Sequence, residues 1–169
     1  MFTLVIGGAA SGKSAWAEEF VSKQPGKRIY LATMQHYGEE GFTRVKKHRE
    51  QRSGKGFDTL ERYTDLAHAP VPAGSSVLLE DLGNLAANEL FSSEGGGSEA
   101  VLEEIEFLLR RCDNLTVVAN ELFSGGRAYA DDTLRYLREL ARIHRILAGK
   151  AELVVELVCG QPNLLKGVD

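Results

Sequence analysis

The stretch GGAASGKS, Gly7 to Ser14, sets glycines, a lysine and a hydroxyl in the spacing G-x-x-x-x-G-K-[ST]. An apolar run, Phe2 to Ile6, stops at its first glycine, and a helix-forming segment, Ala15 to Val21, follows its serine. That pattern is chemistry for phosphate. Gly7, Gly8 and Gly12 allow backbone conformations closed to residues with a Cβ, so the N–H groups of the loop, through Ala9, Ala10 and Ser11, can turn inward on an anion. The positive end of the following helix adds to the attraction. Lys13 supplies a point charge for the β and γ phosphates of a nucleoside triphosphate, and Ser14 a hydroxyl for Mg²⁺.

A second acid is needed to complete such a site. In SVLLEDLGN a short apolar run ends in Glu80-Asp81, where a phosphate-loop protein places the carboxylate that holds Mg²⁺ directly or through water. Glu80 directly follows Val77-Leu78-Leu79 and is the stronger candidate; the alternative is a strand-end acid that caps the next helix.

The segment TRVKKHREQR, Thr43 to Arg52, spaces Arg44, His48 and Arg52 four residues apart, on one face if helical. A solvated helix face has the same appearance. The sharper alternative is an imidazole that attacks a nucleotide α-phosphate while guanidinium groups steady the charge on the triphosphate. The cations are better explained by phosphate than by tuning of the imidazole. An exposed charge about 4 Å away is worth only ~1 kcal/mol in water, under one pKa unit. His36, His68 and His144 lack a comparable setting and are expected at the surface.

Strand-like runs at Phe2–Ile6, Arg28–Thr33, Ser76–Glu80, Leu115–Ala119 and Glu152–Val158 alternate with helical patterns. They predict an α/β fold, a single-domain P-loop nucleoside-triphosphate-binding fold with a mainly parallel sheet flanked by helices. Val101, Leu102, Ile105, Leu108, Leu109 and Cys112 keep helical spacing on one face, with Glu103, Glu104, Arg110 and Arg111 on the other. A second long helix is expected from about Asp131 to Gly149, with Leu134, Leu137, Leu140, Ala141 and Leu147 inward. The loop SSEGGGS, Ser92 to Ser98, lies inside the domain, because too little chain stands on either side for two cores.

At 169 residues, one domain spanning residues 1–169 is expected. A net charge of −4 argues against a general nucleic-acid binder. Cys112 and Cys159 imply neither a disulfide framework nor a metal site, so a cytoplasmic protein is expected. The short apolar run at the N-terminus has no basic region ahead of it, and no apolar stretch approaches the ~18 residues of a membrane span.

Among phosphate-loop proteins, a guanine-reading GTPase would carry N-K-x-D after a later strand, where this chain reads TVVANELFSGG. The FSGG at Phe123 to Gly126 follows the acidic strand, whereas a transport ATPase's signature precedes it. Small-molecule kinases, nucleotidyl transferases and nucleotide sensors remain.

LVIGGAASGKSAWAE, RIYLATMQ, RVKKHREQR, VLLEDLGNLAANELF, VVANELFSGG and the tail LRYLRELARIHRILAGKAELVVELVCGQPNLLKG, in this order, resemble the bifunctional adenosylcobinamide kinase / adenosylcobinamide-phosphate guanylyltransferases of cobalamin biosynthesis. The resemblance implies that ATP or GTP phosphorylates adenosylcobinamide. GMP is then transferred from a guanylylated histidine, which falls on His48, to give adenosylcobinamide-GDP. It also implies Mg²⁺, Glu80 at the acid position and a homotrimer. The chain departs from the family pattern at Leu122–Arg127, at His144-Arg145, at Phe57 where a tryptophan is usual, and at Asp81-Leu82-Gly83. The competing readings are a small-molecule kinase without guanylyl transfer and a nucleotide-binding regulatory protein without turnover.

Overall fold

The computed structural model describes residues 1–35, 54–123 and 129–167. Its centre is a sheet of seven strands: β1 (Phe2–Gly7), β2 (Arg28–Ala32), β3 (Phe57–Glu61), β4 (Ser76–Glu80), β5 (Asn114–Asn120), β6 (Leu153–Val158) and β7 (Gln161–Lys166), in the order β3-β2-β4-β5-β1-β6-β7. Every pair is parallel except β6 with β7. The helices are α1 (Lys13–Ser22), α2 (Leu82–Phe91), α3 (Gly97–Arg111) and α4 (Asp131–Lys150), with a short 3₁₀ turn at Leu66–His68.

The alternation of strand side chains explains the layering. Leu4, Ile29, Leu31, Val77, Leu79, Val117 and Val154 point to one face and share a core with Leu85 of α2, Ile105 of α3 and Leu140 of α4. Their neighbours Val5, Tyr30, Leu78, Val118 and Val155 point to the other face and pack on Ala17 and Val21 of α1. Strands buried on both sides read as continuous apolar runs, which is why β1, β4 and β5 were visible in the sequence.

The expected mainly parallel α/β sheet is present, with two strands that were not foreseen. β3 is a polar edge strand, FDTLE, and β7, QPNLLK, is exposed along its length, so neither carries an apolar signature. β7 joins β6 with a register shift between Val154 and Val155, and Lys166 Nζ reaches the carbonyls of Ala148 (3.1 Å) and Gly149 (2.8 Å) at the end of α4. Two helix faces also need correction. Glu104, expected outside on α3, is buried, and its carboxylate accepts the backbone N–H of Leu66 at 2.6 Å. On α4 the fully buried residues are Leu140, Ile143 and Leu147; Leu134, Leu137 and Ala141 are only half-buried.

Candidate active site at the phosphate loop

The carboxyl ends of β1, β4 and β5 meet where the connections diverge, the usual location of a ligand crevice in an open parallel sheet. β1 ends on Gly7 because nothing larger fits: a Cβ there would stand 2.5 Å from Ser11 Oγ and 2.8 Å from the Leu157 carbonyl. The loop turns through Ala10 at φ 57° and Gly12 at φ 93°, and a Cβ on Gly12 would also approach Gly160 Cα at 3.2 Å. A turn bond from Ser11 N–H to the Gly8 carbonyl (3.2 Å) and one from Gly160 N–H to the Ser11 carbonyl (2.8 Å) set the loop's shape. Gly12 occupies the N-cap of α1 without a side-chain cap, so the first N–H groups of the helix keep their capacity to bind an anion.

Lys13 is 7% exposed, and its Nζ donates to the Gly8 carbonyl at 3.0 Å, which holds the ammonium over the loop. Ser14 Oγ donates to Glu80 Oε1 at 2.6 Å, joining the helix after β1 to the end of β4. The other oxygen, Glu80 Oε2, is buried and has no hydrogen-bond partner among the described residues. Burial pushes the Glu80 carboxyl up to about 7, against the Ser14 hydrogen bond and the Lys13 charge. A cation at this oxygen would satisfy it, so Ser14 and Glu80 fit Mg²⁺, a hard ion that takes few protein ligands and completes its shell with phosphate and water. No cluster of three or more histidine, cysteine, aspartate or glutamate side chains suited to a metal occurs among the described residues.

The adjacent acid has a different task. Asp81 caps α2: Oδ1 accepts Asn84 N–H at 2.7 Å, and Oδ2 accepts Asn84 Nδ2 (3.1 Å) and Asn120 Nδ2 (3.2 Å). The capping role weighed for Glu80 thus belongs to Asp81, leaving Glu80 to Ser14. Thr33, fully buried just past β2, donates its hydroxyl to the Asp81 carbonyl at 2.7 Å, and its N–H to that of Glu80 at 3.0 Å. Thr33 and Asn120 were not among the expected site residues, and Asp81 was the weaker of the two strand-end acids. The D-x-x-N pattern from Asp81 to Asn84 was the available signal for the cap; the reach from β5 to β4 had none.

Glu121 extends the β1–β5 seam by donating its N–H to the Gly7 carbonyl at 2.9 Å. Next to it, His144 is not the surface residue expected. It is half-buried, meets the Phe123 ring edge-on with centroids 5.3 Å apart, and burial pushes its imidazole down to about 4. His68 is exposed as expected, with Nδ1 2.7 Å from Asp65. His36, Arg44, His48 and Arg52 lie outside the described residues. Beyond the β2 and β3 ends lies an open polar cleft of about 850 Å³ whose lining includes Arg62, Tyr63, Asp65 and Ser93. No helix among the described residues is long and apolar enough to cross a membrane.

Similarity to known proteins covers this whole arrangement. The bifunctional adenosylcobalamin biosynthesis protein CobP of Pseudomonas aeruginosa is 32% identical over 99% of this chain and 98% of its own length. CobU of Escherichia coli, described in the same terms, is 30% identical over 95% of this chain and 97% of its own. A protein of Pyrococcus horikoshii solved in a structural project shares the fold at TM-score 0.56, with 10% identity over 99% of this chain and 87% of that one. Residues 3–165 match the family described as cobinamide kinase / cobinamide phosphate guanyltransferase. The match runs from β1 into β7 and takes in the phosphate loop, the Ser14–Glu80 bridge and the Asn120 tie, so this chain belongs to that family of phosphorus-group transferases.

Proposed function

We propose that this protein phosphorylates adenosylcobinamide with ATP or GTP and then transfers GMP to that phosphate, giving adenosylcobinamide-GDP. The observation that carries the reading is the 2.6 Å bridge between Ser14 and Glu80 beside the Lys13 ammonium, with one buried Glu80 oxygen left for a cation. In the first reaction the loop N–H groups and Lys13 hold the triphosphate, and Ser14 and Glu80 hold Mg²⁺. Bound there, Mg²⁺ supplies charge neutralisation at the β and γ phosphates. The acceptor hydroxyl loses its proton as its oxygen bonds to the γ phosphorus, and the nucleoside diphosphate leaves.

In the second reaction a nitrogen of His48 bonds to the α phosphorus of GTP as the bond to the bridging oxygen breaks and pyrophosphate departs. The resulting phosphoramidate is attacked by a phosphate oxygen of the acceptor, and the imidazole is released. Arg44 and Arg52 steady the triphosphate charge in this scheme. Both cysteines are free thiols, which suits a reducing cytoplasm, and a homotrimer is the assembly that light scattering should find.

The test uses GTP labelled at the α phosphate. The wild-type protein is expected to gain an acid-labile GMP adduct on His48 by mass spectrometry, and His48→Ala to gain none while keeping its thermal transition. An adduct of normal yield in the His48→Ala protein overturns the assignment; phosphoryl transfer without any adduct reduces the activity to the kinase half.

A further inference from the structure

Strand β7 is exposed at every position from Gln161 to Lys166, so burial of its side chains does not account for its place in the fold. The turn that leads into it has a contact that does. Val158 and Gln161 pair across Cys159 and Gly160, which sit at φ 50° and φ 78°. Positive φ at both central residues is the pattern of a tight, right-twisted hairpin. This hairpin grips the phosphate loop at both ends. At the first end Leu157 of β6 pairs with Gly7, and its carbonyl would stand 2.8 Å from a Cβ there. At the second, Gly160 donates its N–H to the Ser11 carbonyl at 2.8 Å, and its Cα would stand 3.2 Å from a Cβ on Gly12. The second contact fixes a peptide unit. In a planar trans peptide the carbonyl and the N–H point in opposite directions, so a Ser11 carbonyl held towards Gly160 turns the Gly12 N–H to the other side. Gly12, at φ 93°, has the backbone freedom to let that unit turn over. Turned over, it would present a carbonyl oxygen where an anion needs a donor.

We propose that Gly160 is a positioning residue for triphosphate binding, whose N–H locks the Ser11–Gly12 peptide with the Gly12 N–H towards the phosphates. The inference rests on the reading of Gly7 to Ser14 as the triphosphate site. Without the lock only a fraction of the molecules carries a competent loop, and apparent affinity falls by that fraction. Bound phosphate itself restores the orientation, so turnover at saturating nucleotide is kept. The hairpin thus acts on binding, before any chemistry.

The experiment removes the donor and leaves the turn. Cys159 lets the full chain be assembled by native chemical ligation from residues 1–158 and a synthetic peptide of residues 159–169. Glycolic acid in place of Gly160 in that peptide replaces the N–H with an ester oxygen. The ester protein is expected to raise the dissociation constant for GTP with Mg²⁺ roughly 3- to 10-fold by calorimetric titration, with kcat for phosphoryl transfer at saturating GTP within about twofold of the ligated wild type. Two recombinant variants keep the test open should the ester protein fail to fold. A Cβ on Gly160 meets nothing within 4 Å, so size is not at issue there. Gly160→Asn, which tolerates positive φ, should bind GTP nearly as wild type does, whereas Gly160→Val, which does not, should show the weakened binding. Wild-type affinity in the ester protein, a fall in kcat with affinity unchanged, or equal weakening by asparagine and valine overturns the lock alone. A wild-type protein that binds no triphosphate, or that binds it undiminished after Lys13→Ala, overturns the phosphate-loop reading and the lock with it.

Discussion

Lys13 is only 7% exposed, and its Nζ lies 3.0 Å from the Gly8 carbonyl of the phosphate loop. Replacing it with alanine removes a charge-assisted contact to phosphate, a class of interaction worth about 1.5–3 kcal/mol. Lys13→Ala is therefore expected to weaken triphosphate binding roughly 10- to 100-fold with little change in the far-ultraviolet circular dichroism, and calorimetric titration with GTP and Mg²⁺ checks it. The loop was legible in the sequence because its chemistry is local: Gly7, Gly12, Lys13 and Ser14 act through spacing along one turn. The division of labour between Glu80 and Asp81 was only half legible. Adjacent carboxylates look alike in a string of letters, and the backbone at the strand end decides which one meets Ser14 and which caps α2. The setting of His144 was not legible, because its neighbour Phe123 is far away in sequence.

Two buried glutamates, Glu89 of α2 and Glu104 of α3, hold the turn that precedes β4 and the loop between the two helices. Glu104 accepts Leu66 N–H at 2.6 Å, while Glu89 accepts Asp65 N–H at 3.2 Å and Gly96 N–H at 2.6 Å. Burial, opposed by the Leu66 hydrogen bond and aided by the nearby Glu89 charge, pushes the Glu104 carboxyl up to about 8. A carboxyl whose folded pKa lies above its unfolded value favours the native state when protonated. Its contribution is fully present below about pH 4.5 and is lost as pH rises towards 8. Glu104→Gln keeps an acceptor for Leu66 and removes the titration, so the variant should gain stability relative to wild type as pH rises through this window. Urea unfolding at pH 5 and pH 8.5 measures the difference; an equal difference at both pH values contradicts the account. The helical spacing of α3 placed Glu104 opposite the apolar stripe, yet the 3₁₀ turn at Leu66–His68 covers that flank. Periodicity reports the main core face and is blind to a short element that arrives from elsewhere in the chain.

Across the whole molecule, one sheet separates two cores, and the layer under α1 is the smaller. Leu78, fully buried at the centre of β4, faces that layer. Leu78→Ala is expected to cost roughly 2–5 kcal/mol, which at about 2–4 °C per kcal/mol for a chain of this size is a readily measured fall in the thermal midpoint. The parallel interior of the sheet was legible because buried strands are apolar throughout, whereas both margins, β3 and β7, were invisible because they are polar. That polarity has its own consequence at β7. An unpaired strand margin is a template for further strands, yet here Pro162 has no N–H to offer, the register slips at Val154 and Val155, and the Lys166 amine is drawn away to the end of α4. An incoming polypeptide would meet an irregular ladder there, so this margin is a poor template for edge-to-edge pairing.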